Sequence, residues 1–346
     1  MNKVLKRAQQ EGTPLIDGDM VTFVWQGKKA PSLQADFSNW DEKPIALTKA
    51  APGIWMHSVT LPSDAYIEYA YFDGDERVVD PHNKNLITNG MGKMNHWFDM
   101  PTAQHTTLVR RKANVPRGLV TQHRLDGAYL IAGGNRPVYL YHPPTDEPVP
   151  LLFVLDGDDY YKRAKLTTIV DNLIAQKRIP PIALAMPQHG GQARFLEYMC
   201  SDSTLGFLML FVLPLAQQHL NLIDIAKNPG TYGIVGASMG GLMALYAGLR
   251  MPEVFGHVIS QSGAFAFDVN ERQTVIYDLV RNLPPRSLKL WMDVGVYEYL
   301  LPFNRRMRGE LEERGYTVGY HEYNGGHNYT AWRDELAQGL EAIFSS

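Results

Sequence analysis

Ser238 stands in Gly236-Ala-Ser-Met-Gly240, after an apolar run that closes with Ile234 and Val235 and ahead of Leu242, Leu245, Tyr246 and Leu249 at helical spacing. This is the pattern of a nucleophile elbow, in which a serine on a tight strand-to-helix turn presents its hydroxyl and flanking glycines let the backbones pass. The helix starts directly behind the serine. Its free N–H groups and positive dipole end lie where an oxyanion would form, and the N–H of Met239 is the expected donor. The bland alternative is a glycine-rich turn with an incidental serine, since the pentapeptide is short.

A serine hydroxyl becomes a nucleophile when an adjacent imidazole takes its proton. Of 11 histidines, His327 has the best setting, in Asn324-Gly-Gly-His-Asn-Tyr329 between the last expected strand and the last expected helix. His189, after another strand, reads as a pocket-lining residue, and His219, His257 and His321 fall in or beside regular elements. The imidazole needs an acceptor to fix its tautomer. Glu298, in the loop after a strand, is preferred to Asp293 inside that strand; a water-supported Ser/His dyad is the remaining option. The order serine, acid, histidine is that of the α/β-hydrolases. A second oxyanion donor belongs to the turn Leu155-Asp-Gly-Asp-Asp-Tyr160, where Gly157 permits a tight bend that aims the N–H of Asp158. Asp158 and Asp159 could instead form half of a metal site, but no companion ligand cluster has suitable spacing. No metal and no cofactor is expected.

These residues need a frame. From Met20 to about Met100, short alternating or aromatic runs (21–25, 54–61, 66–72) separated by Pro52-Gly53 and Asp73-Gly74 predict a small all-β sandwich over residues 1–100, preceded by an amphipathic helix in the first twelve residues. Trp25, Trp40, Trp55 and Trp97 read as its core, with a sugar-stacking platform as the alternative. His57, His82 and His96 lack metal spacing and read as surface or hydrogen-bonded histidines. Residues 101–118, with Arg110-Arg-Lys112 and two prolines, read as a solvated tether, or as a basic rim for an anionic substrate. Over 119–346, strands at 138–141, 149–155, 182–186, 257–261, 288–294 and 318–323 alternate with helices at 163–177, 203–220, 304–314 and the C-terminus. This predicts a doubly wound, mainly parallel α/β sheet with ligands at the strands' carboxyl ends.

The segment from about Val120 onward resembles the esterase D and enterochelin esterase family of α/β-hydrolases. The matching features are Leu155-Asp156-Gly157, Arg194-Phe-Leu-Glu-Tyr198 with Leu213-Pro214, Gly236-Ala-Ser-Met-Gly-Gly241, Ser260-Gln-Ser-Gly263, Gly295 with Glu298, Gly325-Gly-His-Asn328 and Trp332-Arg333. The first domain, through Asp36-Phe-Ser-Asn-Trp40, Gly53-Ile-Trp55, Glu68-Tyr69 and Asp80-Pro-His-Asn83, resembles the immunoglobulin-like early-set modules that precede such catalytic domains. The resemblance implies a serine carboxylesterase with Ser238, Glu298 and His327 as its triad and Arg194 shaping the substrate pocket. Two positions depart from the family: Val212 stands where it usually has glutamate, and Asp158 where it often has glutamine. Asp158 and Asp159, with no basic cluster seen nearby, are expected to repel an anionic ferric siderophore. A carbohydrate-linked acetyl or feruloyl esterase, with glycans held by the first domain, is therefore the alternative, followed by a non-catalytic binding protein.

The composition narrows the partners. With 33 Lys+Arg against 36 Asp+Glu, a net charge of −3 and a pI near 6.4, there is no global basic field, so neither nucleic acid nor a membrane surface is an expected partner. The single cysteine, Cys200, excludes an intrachain disulfide framework. The first residues lack the apolar core of a secretory signal, and a soluble, cytoplasmic protein acting on a small-molecule ester is expected. A homodimer and a glycan contact stay open.

Overall fold

The computed structural model describes residues 3–345 apart from 41–42, 91, 128, 133, 267 and 270–271. Internal contacts divide the chain into two compact units. One comprises Met1–His105 with Gly295–Tyr299 and Glu322–Ala331; the other comprises Thr106–Val294, Leu300–His321 and Trp332–Ser346.

The amino-terminal part begins with helix α1 (Lys3–Glu11), which buries Leu5 and Ala8 against Leu15, Val24 and Ile54. Met1 and Asn2, read as part of this helix, lie outside the described residues. Strands β1 (Leu15–Asp17), β2 (Met20–Gln26), β5 (Thr48–Ala51) and β6 (Ile54–Thr60) form one sheet in the order β1-β2-β6-β5. Strands β3 (Ser32–Ala35), β4 (Ile45–Ala46), β7 (Tyr66–Asp73), β9 (Leu86–Thr88) and β10 (Met94–Asp99) form the other, ordered β4-β3-β7-β10-β9, with β8 (Glu76–Val78) also on β7. Val21 and Phe23 of the first sheet share a core with Leu33, Ile67, Tyr69, Tyr71 and Phe98 of the second, so the expected sandwich is present. The four tryptophans of this region are half-buried. Trp25 and Trp55, cross-strand partners, pack on the core, Trp40 donates to Asp36 Oδ1, and Trp97 leans on Tyr66. The buried His96 takes the Asp80 N–H on Nε2 at 2.9 Å and stacks on Tyr69.

The second sheet system has eight strands: β11 (Leu119–Asp126), β12 (Asn135–His142), β13 (Leu151–Val154), β14 (Ala183–Pro187), β15 (Tyr232–Ala237), β16 (Phe255–Gln261), β19 (Lys289–Gly295) and β20 (Val318–Tyr323). A short hairpin, β17 (Asp268–Val269) with β18 (Arg272–Gln273), stands apart. The order is β11-β12-β14-β13-β15-β16-β19-β20. Strands β13 to β16 and β19 run parallel, whereas β11 and β12 are antiparallel additions at one edge. Every residue of β13 and β15 is buried, as in a sheet covered on both faces. Around it lie α2 (Gly157–Lys162), α3 (Leu166–Ala175), α4 (Arg194–Tyr198), α5 (Asp202–Phe207), α6 (Leu213–His219), α7 (Met239–Arg250), α8 (Val275–Asn282), α9 (Leu301–Glu313) and α10 (Tyr329–Phe344).

The expected helix over 163–177 is present as α3, which starts only at Leu166, after Lys165 at φ 57°; α2, ahead of it, was not foreseen. The expected 203–220 helix is interrupted by a π-helical turn at Leu208–Val212, just ahead of Pro214, which has no N–H to donate. Strand β11 and helix α8 were not foreseen. The tether is less free than its composition implies: Asn172 Nδ2 donates to the carbonyls of Leu108 (2.7 Å) and Arg110 (3.1 Å), and the Thr106 N–H to Asp334 (3.0 Å), while Arg110, Arg111 and Lys112 stay exposed. Among the described residues no single helix is long and apolar enough to cross a membrane.

Candidate active site

Chain order and spatial order part between β13 and β15. From β13 the chain steps to β14 on one side and later to β15 on the other, so the carboxyl ends of β13 and β15 form a topological switch point, the preferred ligand position in an open α/β sheet. The Asp156-Gly157-Asp158 turn leaves β13 there, and Ser238 leaves β15.

Ser238 sits at φ 60° and ψ −121°, a strained position for a residue with a Cβ. Its backbone is pinned from three sides: its N–H donates to Gln261 O (2.8 Å), and its carbonyl accepts from Leu242 N (3.1 Å) and Ala264 N (3.0 Å). Glycine at 236 is obligatory, because a Cβ there would lie 2.4 Å from the Gly240 carbonyl. Gly240 has ordinary room, its nearest contact being Asp156 Oδ2 at 3.4 Å, so the close passage depends on Gly236. Met239 opens α7, where first-turn N–H groups have no intrahelical acceptor.

Behind the elbow an ion pair links two elements. Arg194 gives Nε (2.7 Å) and Nη2 (2.6 Å) to the two oxygens of Asp156, whose exposure is 1%, and Nη2 also reaches Ala237 O at 3.1 Å. Arg194, expected to shape the substrate pocket, is thus held against the residue that precedes Ser238. His189 accepts the Gly191 N–H on Nδ1 (3.0 Å), with Nε2 4.0 Å from Asp156 Oδ1. Gly157 is required by Met186, whose carbonyl oxygen would lie 2.2 Å from a Cβ. The Asp158 N–H donates to Gln188 Oε1 at 3.0 Å, so it is free for an oxyanion only once Gln188 withdraws.

The repulsion expected from Asp158 and Asp159 is corrected by their partners. Lys162 binds Asp158 at 2.7 Å and Arg163 binds Asp159 at 3.0 Å, each one helical turn on. Burial pushes the Asp158 carboxyl up, but its hydrogen bonds from Lys162 and Tyr139 outweigh this and hold it below the usual range. Each of the two acids thus has a cation beside it, within α2 or the residue after it. Among the described residues no group of three or more His, Cys, Asp or Glu is arranged to hold an ion.

His327 and Glu298 come together. His327 Nδ1 lies 2.5 Å from Glu298 Oε2, whose side chain is wholly buried while that of His327 is 33% exposed. Glu298 Oε1 accepts from Gly295 N (2.8 Å) and the Tyr323 hydroxyl (3.2 Å). Gly295 must be glycine, since a Cβ would meet the Gly325 carbonyl at 2.3 Å. Asp293 has another task. Its carboxylate, at 0% exposure, accepts from Gln261 Nε2 (3.1 Å) and Trp291 Nε1 (2.9 Å), and Gln261 continues to Trp332 O and Tyr160.

Residues 131–343 match the family described as "Putative esterase". The chain belongs to this esterase family. It is similar to the iron(III) enterobactin esterase of Dickeya dadantii (strain 3937), 28% identical over 286 residues, which is 78% of this chain and 65% of that protein. The corresponding esterase of Escherichia coli (strain K12) is 26% identical over 202 residues, 57% of this chain and 50% of that one. The chain thus spans about half to two thirds of the length of these curated relatives. Among solved structures, ferric enterobactin esterase from Salmonella typhimurium matches with TM-score 0.77 at 22% identity over 94% of this chain and 93% of that chain. Enterobactin esterase from Shigella flexneri in the presence of enterobactin matches with TM-score 0.77 at 21% identity over 94% and 92%. The shared architecture is an α/β-hydrolase sheet preceded by β-sheets.

Two residues around the candidate site escaped sequence reasoning as functional parts: Asp156 was visible only as a member of the Leu-Asp-Gly turn, and Gln188 carries no local signal.

Proposed function

We propose that this esterase is a serine carboxylic-ester hydrolase that works through an acyl-enzyme, with a siderophore-type lactone or a similar small ester as substrate. Ser238 attacks the acyl carbon and His327 takes its proton on Nε2; Glu298 holds the imidazole by Nδ1. The N–H of Met239 stabilises the oxyanion, joined by that of Asp158 when Gln188 moves aside. His327 then activates the water that releases the acid. The observation that carries this reading is the hydrogen bond between His327 and a wholly buried glutamate, an arrangement suited to orienting a general base. The lactone class is supported by the enterobactin esterases among the relatives and by the paired charges of Asp158 and Asp159, which remove the electrostatic objection to an anionic substrate. The half-buried tryptophans of the sandwich are engaged in packing and hydrogen bonds.

The test is pre-steady-state hydrolysis of a p-nitrophenyl ester beside turnover of a cyclic tris-serine lactone. Wild type should show a burst and a fluorophosphonate adduct on Ser238, and Ser238→Ala should lose both, with turnover down at least about 10³-fold. Wild-type turnover in Ser238→Ala would refute the mechanism; absence of lactone hydrolysis beside active ester hydrolysis would refute the substrate class alone.

A further inference from the structure

The loop that carries His327 is held by the β-sandwich. Tyr66, the first residue of β7, donates its N–H to Asn324 O at 3.1 Å; Asn324 Nδ2 donates to Asp64 Oδ1 at 2.8 Å; and Thr330 hydrogen-bonds the Tyr66 hydroxyl. Tyr297, beside Glu298, packs on the sandwich core and donates its N–H to Gly325 O at 3.3 Å. The tightest of these approaches is at Gly326. A Cβ on Gly326 would lie 2.2 Å from both Cγ and Oδ1 of Asp36, so the Asp36 carboxyl occupies the space where any other side chain would stand.

Asp36 is itself rigidly placed. It is 2% exposed, Oδ1 accepts from Trp40 Nε1 (2.9 Å), and Oδ2 accepts from the Glu68 N–H (2.8 Å). This uses the Asp36-Phe-Ser-Asn-Trp40 motif, whose turn is closed by Asn39 at φ 56°. A sandwich aspartate is therefore locked by its own domain and pressed against the residue immediately before the candidate general base.

We propose that Asp36 is a positioning residue for catalysis: its carboxyl, seated against Gly326, sets the backbone of the His327 loop and so aligns the imidazole that Glu298 orients. This rests on the reading of His327 as general base. The sandwich then completes the catalytic apparatus, beyond any role in holding substrate. The physical demand is strict, because displacement of a catalytic group by about 1 Å can cost about 10²-fold in rate. Glycine at 326 and aspartate at 36 form one complementary pair, with the side-chain volume supplied from the sandwich.

A double-mutant cycle tests this. Asp36→Ala removes the seat, and Gly326→Ala pushes the loop away while leaving Asp36 and its N–H donors in place; Gly326 has no positive φ to strain an alanine. With a p-nitrophenyl ester, each single variant should lose about 10–100-fold in kcat with KM changed less than about threefold, and fluorophosphonate labelling of Ser238 should slow in parallel. In the double variant Asp36→Gly/Gly326→Ala, with Asp36→Gly as its single, the Asp36 Cβ that would lie 2.6 Å from the new methyl is gone as well, so kcat should recover to within about tenfold of wild type. A double variant as slow as the product of the singles, or an Asp36→Ala enzyme with wild-type kcat, overturns the proposal. If Asp36→Ala does not fold, a wild-type kcat for folded Gly326→Ala also overturns it, and a loss with unchanged KM supports it. Failure of wild-type enzyme to label at Ser238 would instead strike the parent mechanism.

Discussion

Two buried carboxylates near the end of β19 have different neighbours, which suit them to different roles. Glu298 faces an imidazole and accepts two further hydrogen bonds, while Asp293 ties together Gln261 and Trp291 beneath the sheet's carboxyl end. Glu298→Gln should keep the shape of the site but present the wrong partner to Nδ1, lowering kcat by about 10²–10⁴-fold with little change in the unfolding midpoint. Asp293→Asn should do the reverse, losing stability by about 1–3 kcal/mol, because a buried amide NH2 would stand where Oδ1 now faces Gln261 Nε2 at 3.4 Å. Steady-state kinetics and thermal melts on the two variants check this; equal loss of kcat in Asp293→Asn would return the choice to open. From sequence, Glu298 was preferred because it lies in a loop. The three-residue step between Gly295 and Glu298 could not show that the side chain folds back on the Gly295 N–H, since this depends on Gly325 closing from a segment thirty residues later.

At the level of elements, the elbow is a strand and a helix made to cross too closely for side chains. Gly236→Ala should be among the most damaging small substitutions, because its methyl would meet backbone atoms of Gly240 at 2.4 Å and neither strand nor helix can give way. A loss of about 3 kcal/mol or more in urea unfolding is expected, with Gly240→Ala much milder. Similar costs in the two variants would contradict the contact geometry. Elements with strong period or all-apolar runs, such as β13, β15 and α7, were legible because burial on all sides requires apolar residues throughout. Strand β11 was not, since an edge strand in which Thr121, Gln122, His123 and Arg124 separate Val120 from Leu125 shows little hydrophobic signal. The start of α3 was placed three residues early for a different reason: Lys165 adopts φ 57° without a glycine to announce it.

For the whole molecule, the cluster of Asp36, Glu68 and Glu298 puts three buried acids in one unit. Burial and the charges of Glu68 and Glu298 push the Asp36 pKa well above the usual value, against the Glu68 N–H and the Trp40 indole, which pull it down. The folded chain therefore holds this proton more tightly than the unfolded chain. The associated stability is fully present below the unfolded value of about 3.9 and is lost as pH rises toward and through the folded pKa. Denaturant titrations from pH 4 to 8 should show this decline in wild type, and a shallower one in Asp36→Asn whatever its absolute stability; identical slopes would place the ionised form in the folded state.

The sequence by itself determined the parts whose physics is local: the elbow, the apolar strands, the sandwich pattern, and the serine, acid and histidine in chain order. Those follow from steric limits on glycine and from burial, which act over a few residues. Only the tertiary structure decided which residues complete one another across long separations. Asp36 fills the space at Gly326, and Arg194 is spent on Asp156. Each of these depends on distances between side chains that chain order does not encode, and the strength of an ion pair or a steric contact falls within a few ångströms.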